Sequence, residues 1–577
     1  MNHLFITVAL LFSTMSFLSF AAFAQMDYYP SNQNFLMAMT LDDSWGVRSQ
    51  QGQKRSHKDL SIRLKEKVAQ IMEDQGFAGF RNQYETLLAD EEDGFGVVLV
   101  EVPEMSDIEQ TIDEMWSYED VLWAYPNFIY FGDYRESLSQ DPYLEYQKHL
   151  PQIFAPNAWK VGRGEADIVV AVTDNGFDLH HEDMQGTYYR NPHEIPDNGR
   201  DDDGNGYIDD VYGWNFNAHN NDIFPSPGRG EGHGTHIAGI IAADTFNEVG
   251  VAGVAPNVQV MPLKWTGENP WTSAIIFETY AYAAKQGARI ISTSYNVDFH
   301  VDDPTYIQAL HFANDKGILV FNSAGNSGTF NPPRSGLDQI LLVGSVKAGE
   351  IGVGETDRRS HFSNYGDGID ISAPGEFILS THPGDRYTEE RGTSQAAPIA
   401  AAVAALIWSH DPTLTASQVA HKLLTTCDPL HETNPEDYFY MGAGRPNAYA
   451  ALEDSVRPLR MEVGELGHGM EVEGRDLREL TVKFYGVAQK FNRPFSLISA
   501  GEDGVLDTHD DREVALSYTE HVLYGTNYKK IRFPLPLRGQ YRFTIWADAV
   551  ADPFGQALDG DGDGIPGGDY VLDFSAF

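Results

Sequence analysis

The chain has 577 residues, 42% hydrophobic and 12% aromatic, enough for about two to four folded domains and too many for one core. Forty Lys and Arg against 84 Asp and Glu leave a formal net charge of -44, which excludes a broad phosphate-binding face and so a nucleic-acid partner. Part of that acidity is ordinary solvated surface, and part can serve as hard ligands for cations. Residues 1–24 read as a signal peptide, an apolar run closed by Ala22-Phe23-Ala24, although Lys and Arg are missing from its start. The expectation is a secreted protein. No later stretch approaches the roughly 18 apolar residues of a membrane helix, so no membrane span is expected in the mature form. The single cysteine, Cys427, cannot form an intrachain disulfide and is expected to be a small buried hydrophobe.

Residues 25 to about 55 read as polar and irregular. From Asp59, DLSIRLKEKVAQIMEDQ has helical periodicity, and GVVLVEV (96–102) reads as a strand. SDIEQTIDEMW (106–116) opens with a capping box, Ser106 and Glu109, and VLWAYPNFIYFG (121–132) reads as a second strand. Helix, strand, helix, strand within about 75 residues predicts a small α+β domain. From about Asp141 the texture changes. ADIVVAVTD (166–174), ARIISTSY (288–295), GILVFNSAGN (317–326) and QILLVGSV (339–346) are apolar on both faces, as buried parallel strands are. The helical segments THIAGIIAA, SAIIFETYAYAAKQ and YIQALHFANDK alternate with them. The fold class is therefore α/β, a doubly wound parallel sheet with its chemistry at the carboxyl ends of the strands. After GAGRPNAYAALED (442–454), the short segments LTVKFYGV, PFSLISA, EVALSY, KKIRFPL and YRFTIWADAV predict a C-terminal β-sandwich.

Three polar stretches carry candidate chemistry. VAVTDNGFD puts Asp174 at a strand end, GEGHGTHIAGIIAA puts His233 before an apolar helix, and GTSQAAP puts Ser394 before the alanine-rich IAAAVAALIWSH. Singly, these fit a turn residue, a satisfied histidine and a helix N-cap. Together they fit nucleophilic catalysis: a hydroxyl needs a base, and the imidazole needs a carboxylate to fix its tautomer and steady its charge. Small neighbours (Gly392, Ala396, Ala397) allow a substrate backbone to approach Ser394. The helix start adds a positive dipole end, and alanines let that helix sink into the core as a rigid support.

The order Asp, His, Ser and the blocks VAVTDNGFD, HGTHIAGIIAA and GTSQAAPIAAAVAAL closely resemble the signature blocks of the subtilases, over about residues 141–455. The resemblance implies a subtilisin-like fold with helices on both sheet faces and a serine endopeptidase. Asp174 would orient the base, His233 be the base and Ser394 the nucleophile, with His236 the structural histidine of its block. NSAGN resembles the block that supplies the oxyanion-hole amide, which assigns that role to Asn326. Ser294-Tyr295-Asn296 stands where subtilases carry a Ser-Leu-Gly type segment. With Ala324 and Gly325 it would line the substrate pocket, and Asn296 in place of glycine leaves the primary specificity open. The first domain resembles an inhibitor-type, ferredoxin-like propeptide, with VLWAYPNFIYFG similar to its end and DPYLEYQKHL to the start of a mature enzyme. The implied organisation is a signal peptide at 1–24, a propeptide at 25–140 with its folded part at about 57–132, a catalytic domain at 141–455, and an Ig-like sandwich at 456–577. Maturation would cut in the polar stretch 132–140. Protein or peptide substrates and the chain's own propeptide are the expected partners, and a monomer is the expected state.

Two acidic loops suggest calcium. In the insertion IPDNGRDDDGNGYIDDVYGW, Asp201, Asp203 and Asn205 have the alternate spacing of an EF-hand loop, Gly206 fits its turn, and the Tyr207 carbonyl with Asp209 could complete the sphere. Near the end, Asp559, Asp561, Asp563 and Asp569 of LDGDGDGIPGGDY form a similar set, in a tail resembling the ends of Ig-like modules of large secreted bacterial proteins. Both loops lack the closing Glu of that motif, and the plain alternative is a solvated acidic turn. A competing function is surface binding or adhesion on a catalytically weak or inactive subtilase scaffold. Other hydrolase classes are disfavoured, since no G-x-S-x-G surrounds Ser394 and no H-E-x-x-H occurs.

Overall fold

The computed structural model describes residues 28–40, 84–90, 95–101, 121–130, 141–226, 232–267, 272–295, 297–453, 456–464, 471–472, 479–518, 528–533, 537 and 539–576. The expected signal peptide, the helical segments from Asp59 and at 106–116, the cleavage stretch 132–140 and Asn296 lie outside the described residues. The chain divides into two compact units, residues 1–137 and 138–577.

The first unit holds an antiparallel sheet of β1 (Tyr28–Thr40), β2 (Tyr84–Asp90), β3 (Phe95–Glu101) and β4 (Val121–Tyr130), in the order β2-β3-β1-β4. β3 and β4 fall where strands are expected. β1 corrects the reading of residues 25 to about 55 as irregular. Its later part pairs on one edge with β3 (Phe35 opposite Val100, Thr40 opposite Phe95) and on the other with β4. The register against β4 shifts between Pro30 and Phe35, around the polar Ser31-Asn32-Gln33-Asn34 that hides the strand from a composition-based reading.

The second unit is built on seven parallel strands: β5 (Val169–Asp174), β6 (Trp214–Asn215), β7 (Gln259–Lys264), β8 (Ile290–Thr293), β9 (Leu319–Ser323), β10 (Leu341–Lys347) and β11 (Ile371–Glu376). Their order is β11-β10-β9-β8-β5-β7-β6. Alternate side chains enter two separate cores, which explains the uninterrupted apolar runs. Val170, Val172, Leu319, Phe321, Leu341 and Val343 face one core, while Val169, Ala171, Val320 and Leu342 face the other. On the first side lie α1 (His233–Ala242), α4 (Thr393–His410) and α5 (Ala416–Thr425); on the second lie α2 (Ser273–Lys285) and α3 (Pro304–Asp315). Helices on both faces give the doubly wound α/β fold expected.

α4 is buried at Thr393 and from Gln395 through Trp408, all round its circumference. It packs against α1, α5 and strands β5 and β8 to β11. Alanine satisfies that crowding because its methyl fills little volume and it is the best helix former. A hairpin of β12 (Ile378–His382) and β13 (Arg386–Glu390) runs into the helix start.

Beyond residue 456, strands Arg460–Gly464, Glu479–Tyr485 and Tyr528–Arg532 make one antiparallel sheet. Phe495–Ser499, Arg512–Glu513, Gly539–Ile545, Tyr570–Ala576 and Glu471–Val472 make a second, mostly antiparallel one. Val482, Ile531, Leu497, Phe543 and Leu572 from both share one core. Polar contacts tie these strands to the parallel-sheet region. Lys530 Nζ lies 3.3 Å from Asp367, the buried Lys483 donates to the Phe439 carbonyl at 2.8 Å, and Tyr438 donates to Glu462 at 2.7 Å. Cys427 is buried as expected, with its thiol on the Leu423 carbonyl and its pKa raised by burial. No helix among the described residues is long and apolar enough to cross a membrane.

Candidate active site

Asp174 is the last residue of β5 and His233 the first of α1, so a strand end and a helix start meet at the carboxyl edge of the sheet. His233 Nδ1 lies 2.9 Å from both carboxylate oxygens of Asp174, whose residue is only 5% exposed. Glycine makes this approach possible: a Cβ on Gly234 would come within 2.4 Å of the Gly176 carbonyl and 3.0 Å of Asp174 Cβ. Burial alone would lower the pKa of His233. The charge and hydrogen bond of Asp174, and the charge of Glu390, outweigh it and hold the pKa above the ordinary histidine value.

Ser394 is the second residue of α4, half-buried at the mouth of its buried helix. Glu390, whose charge helps to raise the pKa of His233, accepts a hydrogen bond from Gln395 at 2.9 Å. Two segments flank Ser394. Ser294 Oγ donates to the Ser394 carbonyl at 3.2 Å, and the Gly325 amide donates to Thr393 Oγ1 at 3.0 Å. Asn326 Oδ1 accepts from the amide and the hydroxyl of Thr393 at 2.9 and 3.0 Å, which fixes the direction of its Nδ2. A Cβ on Gly392 would lie 3.3 Å from Asn326 Nδ2 and 3.5 Å from the Ser394 amide nitrogen. Two N–H donors thus border one small space that glycine leaves open.

His236 is fully buried, with Nε2 3.1 Å from the carbonyls of Ile378 and Thr388 and its pKa lowered to about 3 by burial, so it is neutral. Tyr295 is buried too. Its hydroxyl pairs with that of Tyr280 at 2.7 Å and its ring packs on Trp265, so it points into the core rather than along a cleft. Ala324 and Gly325 are buried beside it at the end of β9.

The acidic insertion assembles differently from the expected EF-hand set. Ligand-capable oxygens of Glu194, Asp203 and Asp210 lie within 4.8 Å of one another. Of the expected residues, Asp203 belongs to this group. Asp201 accepts from the amides of Asn205 and Gly206, and Asp209 from those of Asn198 and Gly199, so both serve the loop backbone. Asn205 donates to Asp203 and Asp210, and the Tyr207 hydroxyl donates to Glu278. Glu194 is 5% exposed and its Oε2 has no hydrogen-bond partner. Asp210 is fully buried, and burial, with the Asp203 charge, holds its pKa above the usual carboxylate range. Such a group has excess negative charge and a free buried oxygen, which fits a hard cation.

Near the C-terminus, Asp559, Asp561 and Asp563 meet in the same way, while Asp569 is turned onto the Ala547 amide. A third acidic group escaped sequence reading. Asp141 accepts from the amides of Phe246, Asn247 and Glu248, and Asp183 from the Asn247 side chain and the Val251 amide. Burial, and the nearby charges of Asp141 and Asp244, push Asp183 up to about 7. No sequence motif links these residues.

A sequence model of the subtilase family matches residues 165–444. Thermitase of Thermoactinomyces vulgaris is 32% identical over 318 residues, 54% of this chain and 98% of that protein. A thermophilic serine proteinase of Bacillus sp. (strain AK1) is 30% identical over 61% of this chain and 77% of its own length. Subtilisin DY of Bacillus licheniformis is 37% identical over 39% of this chain and 78% of its own. The matched region contains the parallel sheet and the Asp174, His233 and Ser394 constellation, and the chain belongs to the subtilase family.

Proposed function

We propose that the protein is a secreted serine endopeptidase, made as a proenzyme with an N-terminal inhibitor-type domain and stabilised by calcium. The observation that carries the reading is the Asp174–His233 pair at 2.9 Å, with Ser394 in the first turn of a helix buried along almost all its length. The likeness to named serine proteinases supports it.

In this mechanism Ser394 Oγ attacks a peptide carbonyl as His233 takes its proton. Asp174 keeps the imidazole in the tautomer that accepts at Nε2 and steadies the imidazolium. Negative charge on the carbonyl oxygen develops beside Asn326 Nδ2 and the Ser394 amide, in the space left by Gly392. His233 then protonates the leaving amine, and water releases the acyl group. The backbone of Ser294, Tyr295, Ala324 and Gly325 would line the path that receives the substrate. Calcium would be held by Glu194, Asp203 and Asp210, and by Asp559, Asp561 and Asp563, where it supplies neutralising charge to the fold. The strands after residue 456 form an Ig-like sandwich, and residues 1–24 direct export.

The test is uptake of a small serine-directed phosphonofluoridate by the purified protein, with Ser394→Ala alongside. The expected result is one adduct on Ser394 of the wild type and none on the variant. A processed wild type that takes up no reagent refutes the reading and moves the surface-binding alternative forward. Mass spectrometry of the same samples checks maturation: the wild type loses its residues up to 132–140, and Ser394→Ala keeps them.

A further inference from the structure

Arg334 lies on the short turn Pro333–Gly336, outside the motif blocks, and is fully buried. Its Nε donates to Asp298 Oδ1 at 2.7 Å. Nη1 donates to the Ser323 carbonyl at 2.7 Å, the Tyr295 carbonyl at 3.2 Å and the Asn322 side-chain oxygen. Nη2 donates to the Ala324 carbonyl at 3.2 Å. The acceptors belong to two segments, 295 after β8 and 322–324 at the end of β9.

These are the two segments that flank Ser394. The β8–β9 ladder ends at the pair Thr293 and Asn322. Among the described residues the ladder has no pair beyond it. A rigid planar guanidinium takes over there, bonded to a carbonyl of each wall. Below it, Asn322 Nδ2 also donates to the Tyr295 carbonyl, at 3.3 Å. A positive charge held at no exposure is costly unless paired, and Asp298, 16% exposed, supplies the counter-charge. A merely apolar filler would need neither the fork nor the carboxylate.

We infer that Arg334 is a positioning residue. It sets the separation of the cleft walls, Ser294–Tyr295 and Ser323–Gly325, and thereby decides which side chain is accepted beside the scissile bond. The inference rests on the peptidase reading above and deepens it.

The test uses the full secreted chain with Arg334→Lys and Asp298→Asn. Two readouts are compared: Ser394 acylation by a small phosphonofluoridate, which needs no side-chain pocket, and kcat and KM on peptides differing only in Ala, Leu or Phe before the cleaved bond. Arg334→Lys should acylate within about threefold of wild type, while its kcat/KM preference among the peptides shifts about tenfold, chiefly through KM. Asp298→Asn should shift it the same way by less. Preference ratios held within about twofold in a variant that acylates normally overturn the inference, as does a proportional loss on every substrate and on acylation. If Arg334→Lys is not secreted, Asp298→Asn, which keeps the guanidinium, decides on the same ratios. A wild type that fails to acylate sinks the peptidase reading itself.

Discussion

Gly392→Ala is the sharpest probe of the space in front of Ser394. The added methyl carbon would lie 2.9 Å from Gln395 Oε1, 3.3 Å from Asn326 Nδ2 and 3.5 Å from the Ser394 nitrogen. Gln395 is buried and held by Glu390, so it yields little; the Asn326 amide must give way by a few tenths of an ångström. The methyl also occupies the space into which a substrate carbonyl oxygen would enter. Removing one oxyanion donor costs about 10²–10³ in kcat, about 2.7–4 kcal/mol, a magnitude that comes from subtilisin, the type member of this family. Gly392→Ala should therefore lower kcat by about 10²-fold or more, with KM much less changed. The assay is steady-state hydrolysis of a peptide substrate, with a melting curve to show that the fold survives. Asn326→Ala should lose a similar factor, and the double variant little more than either alone, because both disable one space. A Gly392→Ala protein within about threefold of wild-type kcat, or fully additive losses, would show that the oxyanion does not sit there.

Asp174→Asn should cost about 10⁴ in kcat with the fold intact, read by steady-state kinetics and a melting curve. Because the pKa of His233 is held above the ordinary value, activity should fall on acidification at a pH above about 6.5, seen in the acid limb of kcat/KM. Asp183 has a folded pKa raised to about 7, so the folded state binds its proton more tightly than the unfolded chain does. Its contribution to stability is full below the unfolded value of about 4 and is lost as pH rises through about 7, on the order of a few kcal/mol. In chelator, the melting temperature should drop across that window, and Asp183→Asn should flatten the drop. Glu194→Gln should remove one calcium from the stoichiometry found by titration calorimetry and leave phosphonofluoridate uptake unchanged; an unaltered stoichiometry would exclude that group.

The parallel strands and the positions of Asp174 at a strand end and of His233 and Ser394 at helix starts were legible because they depend on local pattern. A strand buried on both faces must be apolar throughout, and a helix sunk into the core must be small, as α4 is. β1 was not legible, since Ser31 to Asn34 carry no strand signal and its hydrogen bonds come from β3 and β4. The acidic insertion was half legible. The EF-hand spacing drew attention to Asp201, Asp203 and Asn205 but does not single out Glu194 and Asp210, whose burial is decided by packing distant in sequence. Arg334 carries no local signal in its PPRSG stretch. Nothing local says that its partners lie at Asp298, Tyr295 and Ser323.

The burial of α4 also bears on when Ser394 can take its place. Its surfaces are covered by strands that begin at Val169 and end at Glu376, and by α1 and α5 on either side in sequence. Those covering contacts are distant along the chain, and such contacts close slowly. The serine is therefore seated only after the sheet is assembled. On the proposed reading, a nascent or half-folded chain would carry no poised hydroxyl, and the topology itself would delay the appearance of a bond-cutting group until the molecule that bears it has a structure able to withstand it.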